Sequence, residues 1–499
     1  MAEKGQPGSI TIVGLGPGSG ELVTRQAWEV LAGAEILHLR TARHPAVADL
    51  PPDLRRESFD HVYDTADGFD HVYERIVAEL LGRVRRGEQV VYAVPGHPHV
   101  AEATVTALVE EARAAGFPLR IVPGLSFVEP VLSALNVDGL TGLQLYDALA
   151  AAAHHHPPVN PDAPLLLGQV YNRLIAGELK LALMAVYPDE YEVSLVHAAG
   201  TAAEQIETVP LYAIDRSPHI DHLTSLYLPP LPRPASLPAL AEAVAVLRSP
   251  EGCPWDQEQT PQSLRAGLVE EMAEVLEALD RRDPRSLREE LGDLLLHIVM
   301  QAQMAREEEQ FRLNDVIGDI YAKIKRRHPH VWGDWDVDGS EEVVANWEAI
   351  KAQEKAGNGD GDGAASLLDG IPPTLPALAQ AHKIQTRVRK VGFDWPSIEG
   401  VVAKLAEEIQ ELKEAEEEGA RRAELGDILF ALVNWARWLG LDAEAALREA
   451  NLRFEGRFRL LEQLAVEKGV DLDAADLDTL EALWQQAKGI LAESQEREV

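Results

Sequence analysis

The chain has 499 residues, of which 46% are hydrophobic and 26% charged, and its net charge is −36. The composition is typical of a soluble globular protein, and the length favours two to four domains over a single core. So negative a surface repels DNA and RNA, which excludes nucleic acid as an expected partner.

The N-terminus and the cysteine usage bear on where the protein works. The opening "MAEKGQPGSITIVGLGPG" runs straight into a predicted strand, with no signal peptide. No run of about 18 apolar residues occurs, so no membrane span is expected. A single cysteine, Cys253, excludes an internal disulfide framework and fits a reducing compartment. We therefore expect a cytoplasmic protein without a membrane partner.

The first 228 residues show a mixed pattern of strands and helices. Three predicted strands, within 10–18, 89–98 and 119–127, each end in a turn rich in Gly and Pro. Such turns favour a ligand crevice at the carboxyl edge of an α/β sheet. The stretch "HHHPP" at 154–158 is interpreted as a loop, because no further spaced metal ligands accompany it.

Together these segments resemble the tetrapyrrole (corrin/porphyrin) methylase family, which binds S-adenosylmethionine (SAM). Many such methylases have Gly-Asp-Pro where this chain has Gly96–His97–Pro98, so methyl transfer to a tetrapyrrole-like acceptor stays open. The resemblance implies an α/β domain whose SAM site is formed by Gly14, Gly16, Pro17, Gly18, Gly96, His97, Pro98, Gly124 and Ser126.

Two breaks divide the chain. "LPPLPRPASLP" (228–238) predicts a stiff, extended linker, and "AGNGDGDGAAS" (356–366) predicts a flexible one. The second break nearly fits a calcium-binding EF-hand loop, but its last ligand is Asp instead of the bidentate Glu, so we interpret it as a linker. The residues of that near-match are Asn358, Asp360, Asp362, Gly363 and Asp369. The predicted domains and linkers are 1–228, 229–239, 240–355, 356–366 and 367–499.

Beyond the first break the pattern is helical and duplicated. "EELGDLLLH" (289–297) returns as "AELGDILFA" (423–431), and "LVEEMAEVLEALD" (268–280) returns as "KLAEEIQELKEAE" (404–416). Gly and Asp are unfavourable inside an apolar helix, yet both occur together in both copies. A local rule broken twice in the same way indicates a functional site.

The spacing of the acidic residues predicts a metal site. Glu271 and Glu274 share one helix face, as do Glu290 and Asp293 on the next helix. The break "RRDP" (281–284) predicts that the two helices pack antiparallel, so that the four carboxylates converge. A cluster of this kind suits Mg²⁺ or Mn²⁺. The alternative, solvated helix faces, is disfavoured because the whole order of acidic and then basic residues appears twice.

Residues 240–499 resemble the MazG nucleoside triphosphate pyrophosphohydrolase family of tandem helical-bundle domains. The motifs are "GCPWDQEQT" (252–260), "RRHPHVW" (326–332), "VGFDW" (391–395) and "EALWQQAK" (481–488). The resemblance implies hydrolysis of NTPs and dNTPs to monophosphates and pyrophosphate. It places metal ligands at Glu408, Glu411, Glu424 and Asp427 and, by repeat symmetry, at Glu271, Glu274, Glu290 and Asp293.

The resemblance also assigns roles around the substrate. Arg453 and Arg457 would bind phosphates, with Lys323 and Arg327 as their counterparts in the first copy, and Trp484 would lie near the nucleoside. Arg453 stands where the family has Lys, which keeps the charge and alters its geometry. An activated water would attack the α-phosphorus, oriented by Glu407 or, in the first copy, Glu270.

Three hypotheses follow. The first is a metal-dependent pyrophosphohydrolase with an appended methylase-like domain, and the complete acidic and basic sets favour it. The others are an active SAM methyltransferase with a regulatory nucleotide-binding half, and a non-catalytic scaffold.

We expect a homodimer, because so short a bundle leaves apolar surface uncovered. We expect the C-terminal copy to carry most of the turnover because of Trp484, with Trp332 or Trp335 as substitutes in the first copy.

Overall fold

The computed structural model describes residues 8–63, 69–357 and 366–497. These residues form two compact units, Met1–Gln257 and Glu258–Val499. Four residues of the EF-hand-like stretch, Asn358, Asp360, Asp362 and Gly363, and most of the predicted linker 356–366 lie outside the described residues. The five-part division of the chain stays a prediction.

The first unit begins with a five-stranded parallel sheet in the order β3-β2-β4-β1-β5. The middle strands are almost continuously apolar, as expected for parallel strands covered by helices on both faces. The strands are β1 Ser9–Gly14, β2 Ile36–Leu39, β3 Arg55–Ser58, β4 Gln89–Val94 and β5 Leu119–Val122. The helices in this part are α1 Arg25–Ala32, α2 Asp60–Tyr63, α3 Phe69–Arg85, α4 Ala103–Ala114 and α5 Val128–Leu135.

A second five-stranded sheet follows in the order β6-β7-β10-β8-β9, with only β6 and β7 parallel. Its strands are β6 Gln144–Asp147, β7 Leu165–Gly168, β8 Glu192–His197, β9 Gln205–Pro210 and β10 Thr224–Leu228. The remaining helices of this unit are α6 Ala148–Ala152, α7 Arg173–Leu183, α8 Leu237–Arg248 and α9 Pro254–Glu258. All three strands predicted from the first 127 residues are confirmed, as β1, β4 and β5.

The Pro-rich segment after β10 is hydrogen-bonded to an earlier loop of the first unit. Leu231 N–H donates to the Pro161 carbonyl at 2.8 Å, and Ala235 N–H donates to the Asp162 carboxylate at 2.7 Å. Ser236 then caps α8, because its hydroxyl accepts from Ala239 N–H. Prolines that cannot donate leave this segment extended, and these few bonds fix its course.

All the regular secondary structure in the described part of the second unit is helical. Its helices are α10 Arg265–Arg281, α11 Pro284–Glu307, α12 Leu313–Arg327, α13 Pro329–Trp332, α14 Ser340–Gly357, α15 Ala377–Arg389, α16 Ile398–Glu414, α17 Glu418–Trp438, α18 Ala443–Lys468 and α19 Leu477–Arg497. Between α10 and α11, Arg282 is left-handed at φ 54°, Asp283 caps the next helix, and Pro284 begins it. The predicted break at "RRDP" is therefore confirmed.

The apolar faces of this unit are only partly covered. Val299 and Met300 of α11 are buried, but Leu291 is 48% and Ile298 43% exposed. In α17, Leu425 is 50% exposed. Apolar residues on both helices are therefore left uncovered within one chain, as the expected homodimer requires. None of the described helices is long and apolar enough to cross a membrane.

Candidate functional site

The carboxylates of the second repeat meet between α16 and α17. Oxygens of Glu408, Glu424 and Asp427 lie within 4.8 Å of one another. Glu408 is 5% exposed, which is unusual for a carboxylate. Glu411 is exposed and lies outside this group of three. Desolvation and the charge of Glu408 raise the pKa of Glu411.

A lysine partly neutralises this second cluster. The Nζ of Lys404 lies 2.8 Å from a Glu408 oxygen and 3.0 Å from a Glu407 oxygen. The hydrogen bond from Lys404 lowers the pKa of Glu408. Glu407, predicted to orient a water, is held by this lysine, and its role stays a prediction.

The first repeat repeats the arrangement between α10 and α11. Oxygens of Glu271, Glu274 and Glu290 lie within 4.8 Å of one another, while Asp293 falls outside the group. Desolvation and the neighbouring carboxylates raise the pKa values of Glu271 and Glu290. Glu270 is exposed on α10, and its role also stays a prediction.

The two clusters differ in their balance of charge. Gly267 stands where the second repeat has Lys404, and a Cβ built there would lie 3.0 Å from the His297 ring. The first repeat therefore has no lysine at this position, and its carboxylates repel one another without that compensation.

Both clusters fit a divalent cation by their chemistry. Three carboxylates from two packed helices supply hard oxygen ligands. Desolvation and the neighbouring carboxylates raise the pKa values of Glu271 and Glu290 in the first cluster and of Glu411 beside the second. A Cβ built at Gly292 or Gly426, beside the Asp of each repeat, meets no described atom within 4 Å. Packing within the described chain therefore does not require glycine there.

The basic residues of the second repeat adjoin an aromatic pair. The Arg457 guanidinium carbon lies 6.0 Å from the centre of the Trp484 ring, and Phe454 contacts the same ring at 4.9 Å. Arg453 is exposed and forms an i,i+4 salt bridge with Glu449 at 3.5 Å. The structure thus brings Arg457 and Trp484 together, whereas Arg453 faces solvent.

The first repeat has a matching tryptophan that sequence reasoning missed. The Arg327 guanidinium carbon lies 5.1 Å from the centre of the Trp347 ring, and Lys351 lies 4.8 Å from it. Trp332, one of the two substitutes predicted for Trp484, instead contacts His328. The sequence could have predicted this tryptophan, because Trp347 and Lys351 have the same spacing as Trp484 and Lys488. Lys323, the other predicted phosphate ligand, is exposed on α12.

In the first unit the three Gly-rich turns converge at the carboxyl ends of the strands. A Cβ built at Gly14 would lie 2.4 Å from the Gly96 carbonyl and 2.7 Å from Gly124. Gly96 and Gly16 are joined by backbone hydrogen bonds, and both have a positive φ, 64° and 75°. Only glycine permits so close an approach at Gly14, so the three turns meet at the edge of the sheet where the crevice is predicted.

The other predicted cofactor residues border these turns. Gly18 approaches the Gly200 carbonyl, and Pro17 precedes it in the same loop. His97 accepts from His99 N–H, and Pro98 is buried. The Ser126 hydroxyl donates to Glu129 at 2.6 Å.

Sequence reasoning also missed a buried ion pair at this edge. Arg40 follows β2 and Glu102 precedes α4; their side chains are 21% and 3% exposed and form a salt bridge. Arg40 also donates to the Tyr63 hydroxyl at 2.9 Å. Burial raises the pKa of Glu102 to about 7, against the opposing effect of Arg40. No local sequence motif predicts a contact between two residues that are 62 positions apart.

Comparison with known proteins matches each unit to a family. Residues 9–215 match the family of Tetrapyrrole (Corrin/Porphyrin) Methylases, and residues 259–332 match the MazG nucleotide pyrophosphohydrolase domain. An uncharacterized protein of Bacillus subtilis, YabN, is 41% identical over 495 residues, 96% of this chain and 98% of that protein.

Two relatives match the helical half. The nucleoside triphosphate pyrophosphohydrolase of Escherichia coli K12 is 48% identical over 248 residues, 48% of this chain and 93% of that protein. The nucleoside triphosphate pyrophosphohydrolase/pyrophosphatase MazG of Thermotoga maritima is 43% identical over 250 residues, 50% of this chain and 94% of that protein. Among solved structures, uroporphyrin-III-C-methyltransferase from Thermus thermophilus covers 45% of this chain and 93% of that chain with 24% identity and a TM-score of 0.36, too low to add to the family match.

Proposed function

Because this chain belongs to the MazG nucleotide pyrophosphohydrolase family, with a tetrapyrrole (corrin/porphyrin) methylase domain in front, we propose that it hydrolyses nucleoside triphosphates to monophosphates and pyrophosphate. The observation that carries the proposal is the duplicated cluster of three carboxylates, each accompanied by an arginine over a tryptophan ring. An active methyltransferase with a merely regulatory helical half has no comparable support.

We propose that the second repeat performs the reaction. Glu408, Glu424 and Asp427, with Glu411 at the rim, would hold Mg²⁺ or Mn²⁺. When bound, the cation supplies positive charge that neutralises the phosphates and acidifies water. Arg457 would hold the phosphates by paired hydrogen bonds, and Trp484 would stack on the base.

The remaining residues of the second repeat adjust this site. Lys404 keeps Glu408 ionised, and so keeps a metal ligand available at lower pH. Glu407 would orient the attacking water once Lys404 releases it. Arg453 would add a second positive charge for the departing pyrophosphate.

Pyrophosphate release from purified full-length protein, measured with each NTP and dNTP in turn, tests the proposal. We expect release only with Mg²⁺ or Mn²⁺, and loss of it in Glu408→Gln, which keeps the side chain's shape and removes a charged ligand. Pyrophosphate release in EDTA would contradict the assignment. So would full activity in Glu408→Gln when the first repeat is also disabled by Glu271→Gln.

For the first unit we propose SAM binding where the three glycine turns meet. The support is the family match together with the close approach of Gly14, Gly96 and Gly124. Methyl transfer to a tetrapyrrole-like acceptor is not part of the proposal, because His97 stands where many such methylases have Asp.

We also propose that the protein is a homodimer. Leucines and isoleucines on α11, α12 and α17 are 40% or more exposed in one chain, among them Leu295, Ile320 and Leu429. A second copy would cover them, because identical faces can pair about a twofold axis. Sedimentation equilibrium should give twice the chain mass of 54.6 kDa.

A further inference from the structure

The phosphate-binding arginine predicted for the first repeat already has an anionic partner. Glu354, on α14, accepts from Arg327 Nε at 3.1 Å and from Nη2 at 2.5 Å. Its other oxygen accepts from Arg326 Nε at 2.7 Å. The Arg327 and Glu354 side chains are 17% and 18% exposed, so this is not a loose surface pair.

The two arginines stabilise the charged form of the Glu354 carboxylate. Hydrogen bonds from Arg327 and Arg326 lower the pKa of Glu354 to about 2. A carboxylate oxygen that accepts from two N–H groups of one guanidinium takes up the donors that a phosphate oxygen would use.

The second repeat provides the comparison within the same chain. Arg457 lies over Trp484 as Arg327 lies over Trp347, and in both repeats a lysine follows the tryptophan by four positions. Seven positions after the tryptophan the repeats differ: the first has Glu354 and the second has Leu491. Among the described residues, Arg457 forms no salt bridge.

We propose that Glu354 competes with phosphate for Arg327. The first repeat is then a low-affinity nucleotide site, which binds a triphosphate only when the triphosphate displaces the Glu354 carboxylate from Arg327. The inference rests on the proposed function and adds to it the residue that separates the two repeats. Displacement favours a ligand that carries several negative charges over a monophosphate. The apparent affinity falls in proportion to the fraction of molecules in which Arg327 is free.

Binding of a non-hydrolysable ATP analogue, α,β-methylene-ATP, with Mg²⁺ tests this directly. The background is the full-length chain with Asp427→Asn and Arg457→Ala, so that the second repeat does not contribute. Calorimetry should show at least tenfold tighter binding after Glu354→Gln is added. The matched control is Glu348→Gln on the same helix, whose partner is Lys390 at 2.6 Å, and it should leave affinity unchanged. Equal or weaker binding in the Glu354→Gln protein overturns the proposal.

The reciprocal variant places the competitor in the second repeat. Leu491→Glu in the otherwise natural chain should raise KM for NTP at least tenfold, while Leu491→Gln, of the same size and uncharged, should have a much smaller effect. Equal KM values for the two variants also overturn the proposal. Should the natural protein release no pyrophosphate from any NTP, the proposed function fails, and the calorimetric comparison at Glu354 still decides this inference.

Discussion

Lys404 Nζ lies 2.8 Å from the carboxylate of the buried Glu408, while the first repeat has Gly267 at the corresponding position. The two acidic clusters therefore both consist of carboxylates but lie in different electrostatic surroundings. One is partly neutralised before any cation binds, and the other is not. This difference gives the repeats separate pH behaviour.

The first prediction concerns which repeat turns over substrate. Asp427→Asn should lower the rate of pyrophosphate release by on the order of 100-fold or more, because a charged ligand worth several kcal/mol in the transition state is removed. Asp293→Asn should leave most of the rate. The reverse order of effects would assign catalysis to the first repeat.

The second prediction is a pH-dependent metal effect on stability. Glu271, Glu290 and Glu411 have raised pKa values, so the folded protein holds their protons more tightly than the unfolded chain does. Stability from these groups is present at low pH and is lost as pH rises from the ordinary carboxyl pKa through the raised values. Mg²⁺ removes the repulsion, so it should raise Tm more at pH 8 than at pH 5.

Differential scanning calorimetry with and without MgCl2 measures this effect. A Glu271→Gln/Glu290→Gln protein is the control, and its Mg²⁺ response should depend less on pH. Identical Tm shifts at pH 5 and pH 8 in the natural protein would refute the electrostatic explanation.

The third prediction isolates the lysine. Lys404→Met removes the hydrogen bond that lowers the pKa of Glu408, so that pKa rises and protons compete with the cation to higher pH. The acid limb of the pH–rate profile should therefore move to higher pH. Lys413→Met, an exposed lysine on the same helix, is the control and should leave the profile in place. An unmoved acid limb in Lys404→Met would remove Lys404 from the site.

The fourth prediction addresses SAM. Isothermal calorimetry should detect SAM binding to the full-length chain, and Gly124→Ala should abolish it, because a Cβ there would lie 2.4 Å from the Gly96 carbonyl and push the turns apart. His155→Ala, in the exposed histidine loop, should bind SAM normally. No heat at millimolar SAM would mean that the domain has lost the cofactor site.

The fifth prediction concerns the buried pair Arg40–Glu102. Glu102→Ala leaves the Arg40 charge without its carboxylate partner and should destabilise the first unit by roughly 3–5 kcal/mol. The double variant Arg40→Met/Glu102→Met, which removes both charges, should recover much of that loss. Urea unfolding of the three proteins measures the difference, and a Glu102→Ala protein as stable as the natural one would show that the pair contributes nothing.

Local spacing was enough to predict much of this protein. Glu271 and Glu274, three residues apart, must share a helix face, and the break before Pro284 must turn the next helix back against it. The strand that ends at Gly14 and the strand that ends just before Gly96 could be predicted for the same reason, since apolar runs that stop at glycine turns are local patterns. The duplication itself is readable from the sequence.

Tertiary structure alone decided the contacts between distant residues. Arg327 meets Glu354 and Trp347 only because α14 packs against α12, and Arg40 meets Glu102 only because β2 and β4 are neighbours in the sheet. Helical periodicity did not predict burial. It places Leu291 and Leu425 on apolar helix faces, but it does not show whether the same chain covers those faces. Sequence periodicity fixes which residues share a face, and only packing fixes what that face touches.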